Sequence, residues 1–195
     1  LEGIMVAGAL GGALVMKYMP NLSPAAMVIM VVLGSVVFGM VFSLLLAVAA
    51  INFNADQTLV GTAMNMLATA AATVFVKAIN MAEDPNNVAS TIQYIDQKKA
   101  FSIVKIAGFE VNWFMILTIV LLIVSNVVLY RTRLGIRLRA CGEHPQAADS
   151  VGINVYKMRY IGVLISGFLG GLGGIVYITA GVSEWKFENG VAGFG

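Results

Sequence analysis

The chain has 195 residues, 59% hydrophobic and 11% charged, with a net charge of +2 and a mean hydropathy of +0.87. A soluble domain carries nearer one quarter charged residues and cannot hide this much apolar surface, so the composition points to a membrane. The small net charge gives nucleic-acid binding no support, while the lone Cys141 and the single His144 exclude an internal disulfide and Cys-only or multi-His metal sites.

Ile4 to Met16 is apolar and rich in glycine. It is short for a span, since crossing takes roughly 20 residues. It reads either as most of a helix whose beginning lies outside this chain, or as a helix ending where Lys17 snorkels into the headgroups. The start at Leu1 and the end at Gly193-Phe194-Gly195 read as an internal piece of a longer membrane protein. Ser23 suits an N-cap and Pro24 a first helical position. The run from Ala25 to Ile51 that follows has no charge, and Ser35, Gly39 and Ser43 give it a small-residue packing face.

Asn52 to Gln57 is a brief polar break. Thr58 to Val76 is then apolar except for Thr58, Thr62, Asn65, Thr69 and Thr73, whose 4-3-4-4 spacing is one helical face. A polar stripe inside a membrane faces protein or water rather than lipid. With Gln57 starting the helix, the expected solute path is Gln57, Thr58, Thr62, Asn65 and Thr69. Asn65 also reads as a residue that only bonds a neighbouring helix, and the segment reads as a full span or as a broken, re-entrant helix.

Lys77 to Glu110 is a polar connection of roughly balanced charge, including Glu83-Asp84-Pro85-Asn86-Asn87 and Asp96-Gln97-Lys98-Lys99. Val111 to Tyr130 is the next span, with Trp113 and Tyr130 as interfacial anchors. Arg131 to Arg159 is a polar island holding Arg131, Arg133, Arg137, Arg139, Lys157 and Arg159, half of the chain's 12 basic residues, against the acids Glu143 and Asp149. A basic loop between two spans stays cytoplasmic. Within it, Pro145 presets a helix start, Ala147 and Ala148 give a narrow face, and Gly152 is a good stop. Such a short rod reads as a docking piece for a partner or as an ordinary linker helix on the membrane surface. Tyr160 to Val182 is the last span, with Ser166, Gly170 and Gly174 as a packing stripe and Gly167 and Gly171 beside it. Ser183 to Gly195 reads as an outer loop.

With the basic loop inside, Lys77–Glu110 falls outside and Asn52–Gln57 inside, the latter without a Lys or Arg to hold it there. No lysine is preceded by glycine, so a P-loop is absent and any ATP hydrolysis belongs to another chain. No catalytic residues, metal ligands or cofactor motifs are assigned, and no acid falls within the apolar runs.

The run Arg137-Leu138-Arg139-Ala140-Cys141-Gly142-Glu143-His144-Pro145-Gln146-Ala147-Ala148-Asp149-Ser150-Val151-Gly152-Ile153 resembles the coupling segment in the permeases of ABC importers for simple sugars and nucleosides. Ser166 to Gly174, Leu1-Glu2-Gly3-Ile4-Met5 and Gln57 to Asn65 are similar to further segments of that family, the last to its nucleoside-uptake branch. The resemblance implies an all-α polytopic bundle of at least four spans in this piece, with residues 1–195 as one transmembrane domain fragment and 131–159 as its cytoplasmic loop. It implies a multi-pass place in a bacterial plasma membrane and ATPase contact through Glu143, Pro145, Gln146, Ala147, Ala148, Asp149 and Gly152. The implied partners are an ABC ATPase subunit, a second permease subunit (the same chain or another), an extracytoplasmic substrate-binding protein and the lipid bilayer. The alternatives are a branched-chain amino acid permease and a non-transporting membrane scaffold.

Overall fold

The computed structural model describes residues 2–19, 21, 23–53, 55–92, 102–106, 109–180 and 185–187. The described residues form α1 (Glu2–Tyr18), α2 (Pro24–Ala47) with a π-helical turn (Val48–Asn52), α3 (Gln57–Glu83), α4 (Trp113–Arg131), α5 (Arg133–Glu143), α6 (Pro145–Ser150) and α7 (Val155–Ala180). Two ribbons of paired strands accompany them, β1 (Thr91–Ile92) with β4 (Trp185–Lys186), and β2 (Ser102–Ile106) with β3 (Phe109–Asn112), both antiparallel. The chain is an all-α membrane bundle with these ribbons outside its helical part.

Local chemistry sets the helix boundaries. Pro24 occupies the first turn of α2, and Ser23 stands at the N-cap without a side-chain bond. Asp56 caps α3 by accepting the Thr58 N–H at 2.8 Å. α3 runs unbroken for 27 residues, which removes the re-entrant alternative and extends the span seven residues beyond Val76. Pro24–Asn52, Gln57–Glu83 and Val155–Thr179 are each long and apolar enough to cross a membrane. Ile116–Arg131 joins them only as a pair with Arg133–Glu143, bent by 73°. The expectation of at least four spans therefore becomes three single spans and one bent pair among the described residues.

The bend has a visible cause. Thr132 Oγ1 donates to the Val128 carbonyl at 2.5 Å and accepts from the Gly135 N–H at 3.3 Å, ending one helix and starting the next. A side chain at Gly135 would strike the carbonyls of Val128 and Leu129. Arg139 then lies 5.0 Å over the Tyr130 ring, a cation–π contact across the corner.

Close contacts fix the helix directions. Gly3 meets Asn65, and Lys17 meets Asn80 and Glu83, so α1 and α3 run parallel. Tyr160 donates to Asn52 at 3.0 Å at one end, and β1 pairs with β4 at the other, so α3 and α7 run parallel too. Ser43 lies against Gly167 and Ser35 against Gly171, so α2 runs antiparallel to α7. Asn52–Gln57 therefore lies at the same end of the bundle as the basic loop, an assignment its own charges do not make. The far end carries the β1–β4 ribbon, with Ile92 and Phe187 buried in the core beside Met16 and Val76.

Helices in lipid gain little from apolar burial against each other and associate through close backbone packing instead. Here Ser35 Oγ donates to the Gly171 carbonyl at 2.5 Å, and Gly8 of α1 abuts Gly171 from the other side. Lys17 does not snorkel: its side chain pairs with Glu83 at 3.0 Å and bonds Asn80 at 3.0 Å. Asn80 in turn donates to the carbonyls of Ala89 and Thr91, tying β1 to α1 and α3. Asp96–Lys99 and the outer stretch 188–195 lie outside the described residues.

Candidate functional site

The short helix of the basic loop forms as its residues direct. Pro145 opens α6. At its end the Gly152 N–H bonds the Asp149 carbonyl at 2.9 Å and the Ile153 N–H bonds the Ala148 carbonyl at 3.1 Å. This is a Schellman closure, with Gly152 at φ 81, a conformation that favours glycine.

The structure also orients the rod. Ala148 is 4% exposed and faces the rest of the protein, with Pro145 half-buried on the same side. Gln146, Ala147, Asp149 and Ser150 face out, as do Glu143 and His144. Pro145 and Ala148, three residues apart and so on one side of the helix, face inward, and of the two alanines of the expected narrow face Ala147 is the exposed one.

Under α6 lies a cleft of about 490 Å³. Pro145, Gly142 and Cys141 line one side, Met158, Arg159 and Gly162 another, and Ala50, Ile51 and Gln57 the floor. The basic loop thus meets the π-helical turn of α2 and the first residue of α3. Cys141 is buried there, as a small filler is.

Gln57 leads into the polar face of α3. Thr58 and Thr62 are exposed, while Asn65, Thr69 and Thr73 are half-buried. The hydroxyls of Thr62, Thr69 and Thr73 donate back to carbonyls of α3 itself, which leaves their oxygens as acceptors. Ala68, Ala72, Val76 and Asn80 form the buried seam alongside. Asn65 accepts the Gly3 N–H at 2.8 Å and donates to Glu2 Oε2 at 3.4 Å. Asn65 is thus engaged with α1, and the acid beside it was missed because Glu2 lies just outside the apolar run in sequence.

Of the expected packing stripe, Gly174 fits against Met5 and Ala9, Gly170 is buried, and Ser166 is half-buried. The tightest approaches to α2 fall instead on Gly167 and Gly171. The apolar flanking side chains gave no signal to choose between the two neighbouring stripes. No group of His, Cys, Asp and Glu able to hold a metal occurs among the described residues.

Residues 1–194 match the family described as branched-chain amino acid transport system / permease component. The guanosine ABC transporter permease protein NupQ of Bacillus subtilis is 41% identical over 183 residues, covering 92% of this chain and 57% of the relative. The nucleoside ABC transporter permease protein NupC of Lactococcus lactis is 37% identical over 196 residues, with the same coverage of 92% and 57%. The putative glucose ABC transporter permease protein TsgC13 of Haloferax volcanii is 27% identical over 175 residues, covering 89% and 51%. The chain therefore spans just over half the length of these relatives. No solved structure gives a significant match.

Proposed function

The chain belongs to the branched-chain amino acid transport system / permease component family, and from that membership we propose that it is membrane-spanning sequence of an ATP-driven nucleoside importer. The observation that carries the proposal is the single cleft joining Pro145 of the capped helix α6 to Gln57 at the foot of the polar face of α3. A partner that moves α6 acts directly on the helix that carries the solute-facing groups. ATP hydrolysis is supplied by a separate ATPase bound at Glu143, Pro145, Gln146, Ala147, Asp149 and the Gly152 turn, with Ala148 as the seat of the rod. A second permease subunit completes the pore, and a substrate-binding protein delivers the solute from the far side.

The family's description names branched-chain amino acids, whereas two relatives covering 92% of the chain are named for guanosine and nucleosides. The α3 face favours the second reading. Its own groups are hydroxyls and an amide, which suit neutral, hydroxyl-bearing ligands and offer no cation to the carboxylate of an amino acid. A nucleoside and a simple sugar share such a hydroxyl-bearing ring. A non-transporting scaffold would have no use for this stripe.

Asn65→Leu in the full-length transporter tests the path. Interhelical hydrogen bonds in membranes average about 0.6 kcal/mol, so loss of a packing bond alone is tolerated. Nucleoside uptake is expected to fall about tenfold while membrane level and basal ATP hydrolysis hold. Unchanged uptake rate and apparent affinity would remove Asn65 from the path.

The location is a bacterial plasma membrane with residues 131–159 in the cytoplasm. A Gln146→Cys variant in a Cys141→Ser background places the only thiol on the outward face of α6. An impermeant maleimide is expected to label it only after permeabilisation; ready labelling of intact cells would invert the topology.

A further inference from the structure

No acid sits inside the apolar runs of the sequence, yet the fold brings one to the polar face of α3. Glu2 lies beside Asn65. Asn65 is five residues before Ala70, the midpoint of the 27-residue α3, or about 7 Å at 1.5 Å per residue. A second path gives the same depth. Gly8 abuts Gly171, close to the middle of the apolar part of α7, and Glu2 is six residues earlier on α1, about 9 Å towards the basic end. Both positions fall within a hydrocarbon layer about 30 Å thick.

An ionisable side chain at such depth is costly and marks a pathway or a ligand site. Glu2 stands in the first turn of α1 and is exposed. Among the described residues no Lys or Arg pairs with it, the ion pair being Lys17 with Glu83 at the far end. It receives one long hydrogen bond, from Asn65 Nδ2 at 3.4 Å. An ionised carboxylate offers about four lone-pair sites and no donor, so most of its accepting capacity stays open. The neighbouring hydroxyls of Thr62 and Thr69 donate to their own helix and have no hydrogen left for it. The open acceptor sites of Glu2 lie beside the polar face of α3.

We infer that Glu2, positioned by Asn65, is a solute-recognition residue that accepts the adjacent hydroxyls of a sugar ring. The inference rests on the importer reading and deepens it. Two neighbouring hydroxyls match the two oxygens of a carboxylate, and an analogue lacking one of them forgoes one of the two hydrogen bonds.

The experiment uses the full-length protein assembled with its ATPase and binding protein in vesicles, the binding protein saturated with guanosine or with 2′-deoxyguanosine. Glu2→Gln keeps a carbonyl for the Asn65 amide, so an anchoring role for α1 survives it. The expected result is an about tenfold fall in guanosine uptake with less than a twofold change for 2′-deoxyguanosine, at unchanged membrane level and basal ATP hydrolysis. An equal fall for both solutes, or no fall for either, makes Glu2 an anchor of α1 and overturns the inference while leaving the importer reading intact. Failure of the wild type to take up either nucleoside overturns the importer reading itself.

Discussion

Ala147→Arg in the full-length protein is expected to cut transport to background while the protein stays in the membrane at its normal level. Ala147 is on the outer side of α6, where a long charged side chain finds water and costs the fold little. A partner that receives the rod in a groove meets that bulk directly. A docked helix this short has few outward residues to spare, namely Gln146, Ala147, Asp149 and Ser150. Loss of one well-packed contact at the centre of such an interface costs about 2–4 kcal/mol, enough to separate the partners at ordinary concentrations. The measurement is solute uptake together with co-purification of the ATPase. Ala148→Arg provides the contrast. It forces a charge into a position 4% exposed and is expected to lower the amount of folded protein, which Ala147→Arg does not. Normal transport by the Ala147→Arg variant would remove α6 from the coupling route.

Gly171→Leu is expected to lower the assembled protein in the membrane at least about tenfold. A Cβ at Gly171 would stand 2.6 Å from the Ser35 carbonyl oxygen and 3.4 Å from the Gly39 Cα. Gly8 closes the other side, so α7 cannot shift away from α2 without striking α1. These obstacles are backbone atoms, which do not swing aside as the end of a side chain does. Overpacking costs about 1–3 kcal/mol even in cores able to relax, and separating the helices would also break the bond from Ser35 Oγ to the Gly171 carbonyl. Gly162→Ala on the same helix is the control, since its nearest neighbour, Leu138 Cδ1, would lie at an ordinary 3.5 Å. Quantitative immunoblotting of membranes and size-exclusion chromatography read both variants. Equal levels for the two would show that the α1–α2–α7 junction yields more readily than its geometry implies.

Local signals were legible in the sequence because they act within a few residues. Pro145 and Gly152 bracket α6 by their own backbone preferences, and the uncharged run after Pro24 is long enough to cross a membrane; the cap of α3 by Asp56 was not read from the sequence. The expectation that the basic loop is cytoplasmic rests on its charge alone. The polar spacing from Thr58 to Thr73 identified one face of α3 in the same way, since 3.6 residues per turn fixes which residues align.

Tertiary structure decided what depends on neighbours distant in the chain. Gly167 and Gly171 face α2 through a choice of helix rotation that a run of small residues leaves open. Ala148 is buried although the polar loop around it is exposed, and Lys17 finds a pair and a hydrogen bond in Glu83 and Asn80, more than sixty residues away. Asn52 carries no charge to hold it at the basic end; the parallel packing of α3 with α7 and the hydroxyl of Tyr160 put it there. The place of Glu2 is the furthest-reaching case. Sequence position makes it a residue at the edge of an apolar run, and only the packing of α1 against α3 brings its carboxylate beside Asn65.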